Sequence, residues 1–354
     1  MLYMKRIISL FSIALAMFNS ALAQDPVNEG APYYLPKTAF KFRILVQKTT
    51  FTPGEYAEYA SRYLKQSDAV LEPKTSYKII DLKMQPIGVP DASKHYTAKA
   101  GMKYNIQKLH VSDNGVLLSV NMDPAPNKEE PLFTPVRKPA PLNPRDYMSE
   151  DILAAGSKAK MAQLCAEEIY TIRTSRNDLT RGTAETMPKD GEQLKLMLAS
   201  LSTQEKALRQ LFEGVTEVDT TEHVVTVMAD MPTTGQLAFR FSETFGMTAV
   251  DDFSGSPYYI SVADLHQTPE DTRTEKEKII QKDDPGLFIN VPGKAHVVLF
   301  NANKTVKEMD VFYPQFGRVE ALSASLFNKK VSTSYQLNQA TGTTMHLNVQ
   351  EVGK

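Results

Sequence analysis

Asp190-Gly-Glu-Gln-Leu-Lys-Leu-Met-Leu-Ala-Ser-Leu-Ser-Thr-Gln-Glu-Lys-Ala-Leu-Arg-Gln-Leu-Phe-Glu-Gly214 decides how the rest of the chain must fold. Leu194, Met197, Leu198, Leu201, Leu208, Leu211 and Phe212 recur at i, i+3, i+4 spacing, which puts them on one side of a helix. Full burial of one such side chain contributes roughly 1.5–3 kcal/mol, more than the intrinsic stability of an isolated helix. The stripe therefore needs a partner surface. Asp190 followed by Gln193 reads as an N-cap with a capping-box acceptor, and Ser202 followed by Glu205 repeats the pattern, predicting a break or restart near Ser202. Gly214 is expected to close the helix as a left-handed C′ residue.

Upstream, Met161, Leu164, Cys165, Ile169, Ile172 and Leu179 continue an apolar face toward Arg181-Gly182, with Thr183 to Lys189 as the turn. The two stretches together predict an αα-hairpin or a small three-helix cluster. Outside them the period falls from 3.6 to 2. Ala39 to Gln47 and Ser76 to Met84 are strand-like in their aromatic and β-branched content. Between them Thr52-Pro53-Gly54 ends the first strand, and Glu55 to Leu64 reads as a short helix with Tyr56, Tyr59, Ala60, Tyr63 and Leu64 on one side. Asp113-Asn114-Gly115 between two extended runs is a strong hairpin signal. Pro124, Pro126, Pro131, Pro135, Pro139, Pro141 and Pro144 exclude regular helix and predict a spacer or a loop laid along the surface.

Past Gly214, runs around Val224 to Val227, Leu237 to Phe241, Tyr258 to Val262, Val306 to Phe312, Ser332 to Leu337 and Met345 to Val349 read as strands. Ala263 to Asp284 is charged and poor in apolar residues, a solvated loop or an exposed helical turn. Leu287, Ile289 and Val291 lead into Pro292-Gly293 and out through Ala295, Val297 and Leu299, a pattern that predicts a hairpin. The fold class is then α+β: an N-terminal small sheet with a helix, a central amphipathic helical hairpin and a C-terminal antiparallel β-sandwich. The expected units are a 24–123 α+β domain, a 124–147 proline-rich connector, the 148–214 hairpin and a 215–354 sandwich domain.

The N-terminus carries Lys5-Arg6, an apolar run from Ile7 to Phe18, and Ala21-Leu22-Ala23 before Gln24. Those parts describe a secretory signal peptide cleaved after Ala23, so residues 1–23 are expected to be removed. The run falls well short of the ~20 apolar residues needed to span a bilayer, and no later stretch comes closer. Cys165 is the only cysteine, which forbids an intrachain disulfide, and its place on a helix's apolar face reads as a buried structural thiol. A formal net charge of −1 argues against nucleic acid or an anionic membrane surface as the main partner.

Motifs of chemistry are scarce. The histidines His95, His110, His223, His266, His296 and His346 are scattered with no zinc-like spacing. Ser157-Lys-Ala-Lys160 matches S-x-x-K, but neither S-D-N nor K-T-G follows. There is no nucleophile elbow, P-loop or dinucleotide fingerprint, and Asp251-Asp252 and Asp283-Asp284 lack the grammar of a calcium loop. No cofactor is expected, nor any metal ligand.

Tyr33-Tyr-Leu-Pro-Lys-Thr38, Pro53-Gly-Glu-Tyr-Ala-Glu-Tyr-Ala60, Pro188-Lys-Asp-Gly-Glu-Gln-Leu194, the block from Gln204 to Gly214, and Phe239-Arg-Phe-Ser242 resemble a secreted Bacteroidetes family catalogued as domain of unknown function 4831. The resemblance implies a Gram-negative, exported setting and no particular reaction. In such a setting Asp219-Thr220-Thr221 is similar to the O-glycosylation tripeptide of exported proteins, with Thr220 as acceptor. The expectation is a periplasmic, outer-membrane-associated or secreted protein, non-catalytic, that binds an envelope protein or glycan or serves envelope assembly. The alternative is a hydrolase acting on a polymer through carboxylates such as Glu243, Asp251 or Asp252. A further expectation is an oligomer formed through the helical stripe, which predicts an exposed apolar patch.

Overall fold

Strand β1 (Gly30–Thr52) is the spine of the molecule. In the computed structural model, which describes residues 30–99, 104–126, 130–136, 140–302 and 304–351, it hydrogen-bonds on both edges. The leader 1–23 and its Ala23 junction lie outside the described residues. On one edge β1 pairs antiparallel with β2 (Lys74–Lys99), from Gly30↔Lys99 to Phe51↔Lys74. On the other it pairs with β5 (Val215–Met228), from Ala39↔Met228 to Thr52↔Val215. Strands from both sides of the proline-rich stretch and of the helical region thus share one sheet, so backbone hydrogen bonding crosses the unit boundaries drawn at 123 and 214.

A second sheet is built from β6 (Thr233–Ser242), β7 (Gly246–Thr248), β8 (Ser256–Asp264), β9 (Pro285–Asn301) and β10 (Lys304–Ser323) in the order β10-β9-β8-β6-β7. The two sheets pack face to face. Phe40, Phe42, Ile44 and Val46, alternate residues of β1, bury against Phe239, Phe241, Ile260, Val262, Val297 and Leu299, and the Phe42 and Phe239 ring centroids lie 6.1 Å apart. A third sheet, β12-β11-β4-β3, uses β3 (Leu109–Val111), β4 (Leu117–Val120), β11 (Val331–Leu337) and β12 (Thr344–Glu351). Leu117, Val120, Tyr335 and Leu337 of this sheet close a second core over Tyr33, Leu35, Leu287 and Ile289. The turn between β3 and β4 holds Gly115 at φ 81°, as the Asn-Gly signal predicts. The α+β class and the antiparallel sandwich are as expected, with sandwich layers drawn from both halves of the chain.

The helices occupy a separate layer at the end of β1. A 3₁₀ turn (Ala57–Tyr59) runs into α1 (Ala60–Tyr63); α2 (Glu150–Leu153), α3 (Lys158–Arg181) and α4 (Gly191–Glu213) follow, whereas α5 (Glu275–Asp283) lies apart from them, against β9 and β10. Asp190 caps α4, its carboxylate accepting the Gln193 N–H at 2.7 Å. The expected break at Ser202 does not occur. Ser202 is exposed in an unbroken helix, and the Glu205 carboxylate turns to Arg173 and Arg176 instead of serving a new cap. Gly214 has φ 77° but ψ −174°, so it leaves the helix directly into β5, whereas Gly182 takes the left-handed cap at φ 73°, ψ 23°.

Pro292-Gly293 is not a turn either, because β9 runs straight through it. The register with β10 jumps from Tyr313↔Gly293 to Arg318↔Val291, so the irregularity belongs to Pro314–Gly317 of the partner strand. A side chain at Gly293 would meet the Phe316 carbonyl oxygen at 2.5 Å, and the glycine serves that close approach. Residues 130–133 of the proline-rich stretch lie along the outer face of the β2-β1-β5 sheet. Arg43 holds them there, donating to the carbonyls of Glu130 and Pro131 at 2.9 and 2.7 Å while its Nε pairs with Glu222. Glu222 in turn accepts the Phe133 N–H at 2.6 Å.

Candidate functional site: a groove at the free end of the helical hairpin

Helix α3, with 24 residues, is about 36 Å long at 1.5 Å per residue. Its buried side chains, Leu179 apart, lie between Ala162 and Ile172. Ala162, Cys165, Ala166, Ile169 and Ile172 pack with Leu208, Leu211 and Phe212 of α4 against Tyr56, Ala60, Leu64 and Ile152. The Tyr56 and Phe212 rings meet edge to face at 5.8 Å. Burial thus decides which part of the amphipathic stripe is core: Leu208, Leu211 and Phe212 are enclosed, while Leu194, Leu198 and Leu201 are half-buried and Met197 is exposed.

Beyond Ile172 the two helices face each other and the segment that joins them, whose Thr183 N–H donates to the Asp178 carbonyl at 2.9 Å. An ion-pair cluster marks the transition: the buried Glu205 carboxylate accepts Arg173 Nε and Arg176 Nη1, both at 2.7 Å, with Arg209 at 3.9 Å. Burial pushes the Glu205 carboxyl up, but the hydrogen bond from Arg173 and the charges of Arg173, Arg176 and Arg209 outweigh it, so it sits below the ordinary glutamate value. Past this cluster, at the end of the hairpin, lies a groove of about 500 Å³. Leu179, Met197 and Leu201 form its apolar floor, with Ser175, Asp178, Glu185 and Thr186 among the polar lining groups. The exposed side chains Met187 and Leu196, the latter 71% accessible, belong to the same end of the hairpin.

The groove suits binding. Its lining joins an apolar floor to hydroxyls and carboxylates, the composition of a recognition site for an apolar side chain with a polar neighbour. Asp178 of the lining accepts the Thr183 hydroxyl at 3.3 Å. Sequence alone assigned Met197 and Leu201 to the buried stripe and Thr183 to Lys189 to a plain turn. The signal that could have found the groove is length: the stripe runs on to Leu194, well beyond the residues enclosed with Leu208, Leu211 and Phe212.

The residues named for hydrolysis lie elsewhere. Glu243, Asp251 and Asp252 are exposed on the turns flanking β7. The Glu243 backbone oxygen accepts the Tyr77 N–H. The Asp252 side chain accepts the Ser254 N–H at 2.9 Å, and bonding by Ser254 lowers its pKa. None of the three lines the hairpin groove or a second, smaller one of about 260 Å³ beside Pro124, Pro126, Leu337 and Met345. Thr220 sits in β5 opposite Gln47, half-buried on the open-edged strand of its sheet. His296 Nδ1 contacts Asp310 at 2.6 Å, and His346 is exposed. Among the described residues no group of three His, Cys, Asp or Glu side chains is placed to hold a metal ion. No described helix is long and apolar enough to cross a membrane.

No curated protein and no solved structure matches the chain. A family model does, over residues 29–345, taking in the hairpin, its groove and β1 to β11 but only the first two residues of β12, and the chain belongs to that family, the one described as Domain of unknown function (DUF4831).

Proposed function

We propose that this is an exported, non-catalytic binding module of a Bacteroidetes cell envelope that docks a partner protein through the free end of its helical hairpin. The observation that carries the reading is the groove itself. A hairpin whose base is fully packed extends beyond its core, with Met197 exposed in the groove and Met187 and Leu196 exposed outside its lining on the same end of the hairpin. Solvent-exposed apolar side chains gathered at one end of a rigid element favour association. The signal-peptide pattern of residues 1–23 supports export, and the turn-bound, exposed placement of Glu243, Asp251 and Asp252 favours binding over hydrolysis.

The partner's contact segment is expected to be an apolar helix or extended peptide with a basic residue, because Asp178 and Glu185 are the charged groups in the lining. A photo-crosslinking amino acid placed at Leu196 in the native host is expected to trap one envelope protein, and Met197→Glu is expected to abolish that adduct while the helical circular dichroism is kept. Adducts that survive Met197→Glu, or that form equally from a position on β10, would sink the proposal. Cell fractionation and intact mass address the remaining points. Export predicts a chain starting at Gln24, and modification of Thr220 predicts a glycan mass increment that Thr220→Ala removes.

A further inference from the structure

Among the described residues, strand β12 is the sheet edge whose protection is slightest, a single bulge at Met345 near its start. It ends the order β12-β11-β4-β3, so its outer row of amides and carbonyls meets no strand among the described residues, and all of its residues are exposed. Open strand edges invite pairing with another chain, and proteins blunt them with brevity, charge or proline. The other edges here are blunted in those ways. β3 and β7 have three residues each. β2 carries Pro86, Pro90 and a series of lysines; β5 carries Glu217, Asp219 and Glu222; β10 carries Lys304, Lys307 and Pro314. From Thr344 to Gln350, β12 has neither a proline nor an Asp, Glu, Lys or Arg.

We infer that β12 is a dimerisation strand, pairing antiparallel with β12 of a second copy about Leu347, so that the sheet runs on from one copy into the other. Leu347 pairs with Tyr335 and Val349 with Thr333 of β11, so both stand on the side where Tyr335 and Thr333 are buried. Yet Leu347 and Val349 are 41% and 40% accessible, because the layer covering β11 stops short of β12. Self-pairing supplies what is missing. With Leu347 on the two-fold axis, the regular part of the strand places the polar His346 of one copy opposite Asn348 of the other, and the bulge that leaves Met345 without a partner on β11 lies at the end of the paired stretch. No like charges meet. A foreign strand would have to reproduce this neutral, alternating pattern, which the chain's own β12 already matches, and the isologous contact closes at two copies.

An interface built mainly on one strand pair is small, so dissociation is expected in the range of about 1 to about 100 µM. The test is the mass of the chain from Gln24 to Lys354, measured by sedimentation across that range. A monomer that doubles in mass with concentration is expected. Leu347→Lys, which puts like charges on the axis, is expected to leave a monomer throughout with unchanged circular dichroism, while Ile280→Lys on α5 leaves the dimer intact. Hydrogen exchange on the unaltered chain gives the same reading without a variant: amides of Thr344–Glu351 slow as concentration rises. A monomer at every concentration overturns the inference. So does a dimer that ignores Leu347→Lys, or one whose formation leaves β12 exchange unchanged.

Discussion

Arg173 donates its Nε proton to the buried carboxylate of Glu205 at 2.7 Å, tying the middle of α3 to α4 where the packed base of the hairpin gives way to its free end. Arg176 reaches the second oxygen at the same distance. Charge-assisted bonds of this kind set the angle at which the free end is held.

Removing that carboxylate should therefore loosen the hairpin. Glu205→Ala is expected to cost ~1–3 kcal/mol in denaturant unfolding, since it leaves two guanidinium groups without their shared acceptor. Because the folded-state pKa of Glu205 is depressed, its contribution is complete above the unfolded value of about 4.3 and is lost as pH falls through the lower folded value. The variant and the parent should converge in stability below that point. A gap that persists unchanged in acid would show that packing, and not the ion pair, is at stake.

Burial along α4 predicts opposite outcomes for two apolar residues on the same helix. Phe212→Ala, which empties the edge-to-face contact with Tyr56, should cost ~3–5 kcal/mol. Leu196→Ala, at a largely exposed position, should stay within ~0.5 kcal/mol. Equal losses would mean that the free end is covered in solution.

Arg43 is the clasp of the proline-rich segment. Arg43→Met should release Glu130 and Pro131 from the sheet and raise the rate of limited proteolysis between residues 130 and 136 by roughly tenfold, as local opening becomes cheap relative to global unfolding. Unchanged cleavage would show that the segment is held from elsewhere.

Cys165 should be chemically silent in the native state. Burial, with the nearby charge of Glu55, pushes its thiol up to about 12, which leaves a thiolate fraction on the order of 10⁻⁴ at pH 8. A thiol reagent should report no reaction natively and one group per chain after denaturation. Rapid native labelling would contradict the packing of α3 against Tyr56 and α4.

Much of the local structure was legible in the residues. Period-2 runs became strands, the Asn114-Gly115 turn formed as its chemistry demands, and Asp190 capped its helix, because each outcome depends on backbone preferences within a few positions. The errors arose where a distant group competed for the same atoms. Glu205 left a local cap for Arg173 and Arg176 on the neighbouring helix, and Pro292-Gly293 lies within a strand because an irregularity in β10 needed a glycine opposite. The groove was illegible for a related reason: Leu194, Met197 and Leu201 carry the same helical period as Leu208 and Leu211, and periodicity does not record where the covering surface ends.

By itself the sequence determined where most of the helices and strands lie, and that the helices must dock through an apolar stripe running from Leu194 to Phe212. Only the tertiary structure decided that β1 pairs with β5 across the whole helical region, that Arg43 fastens the proline-rich stretch, and that β12 keeps an open edge. The division follows from the range of the forces. Dihedral preference and side-chain period act over a turn or two of chain, whereas burial and ion pairing depend on which surfaces meet.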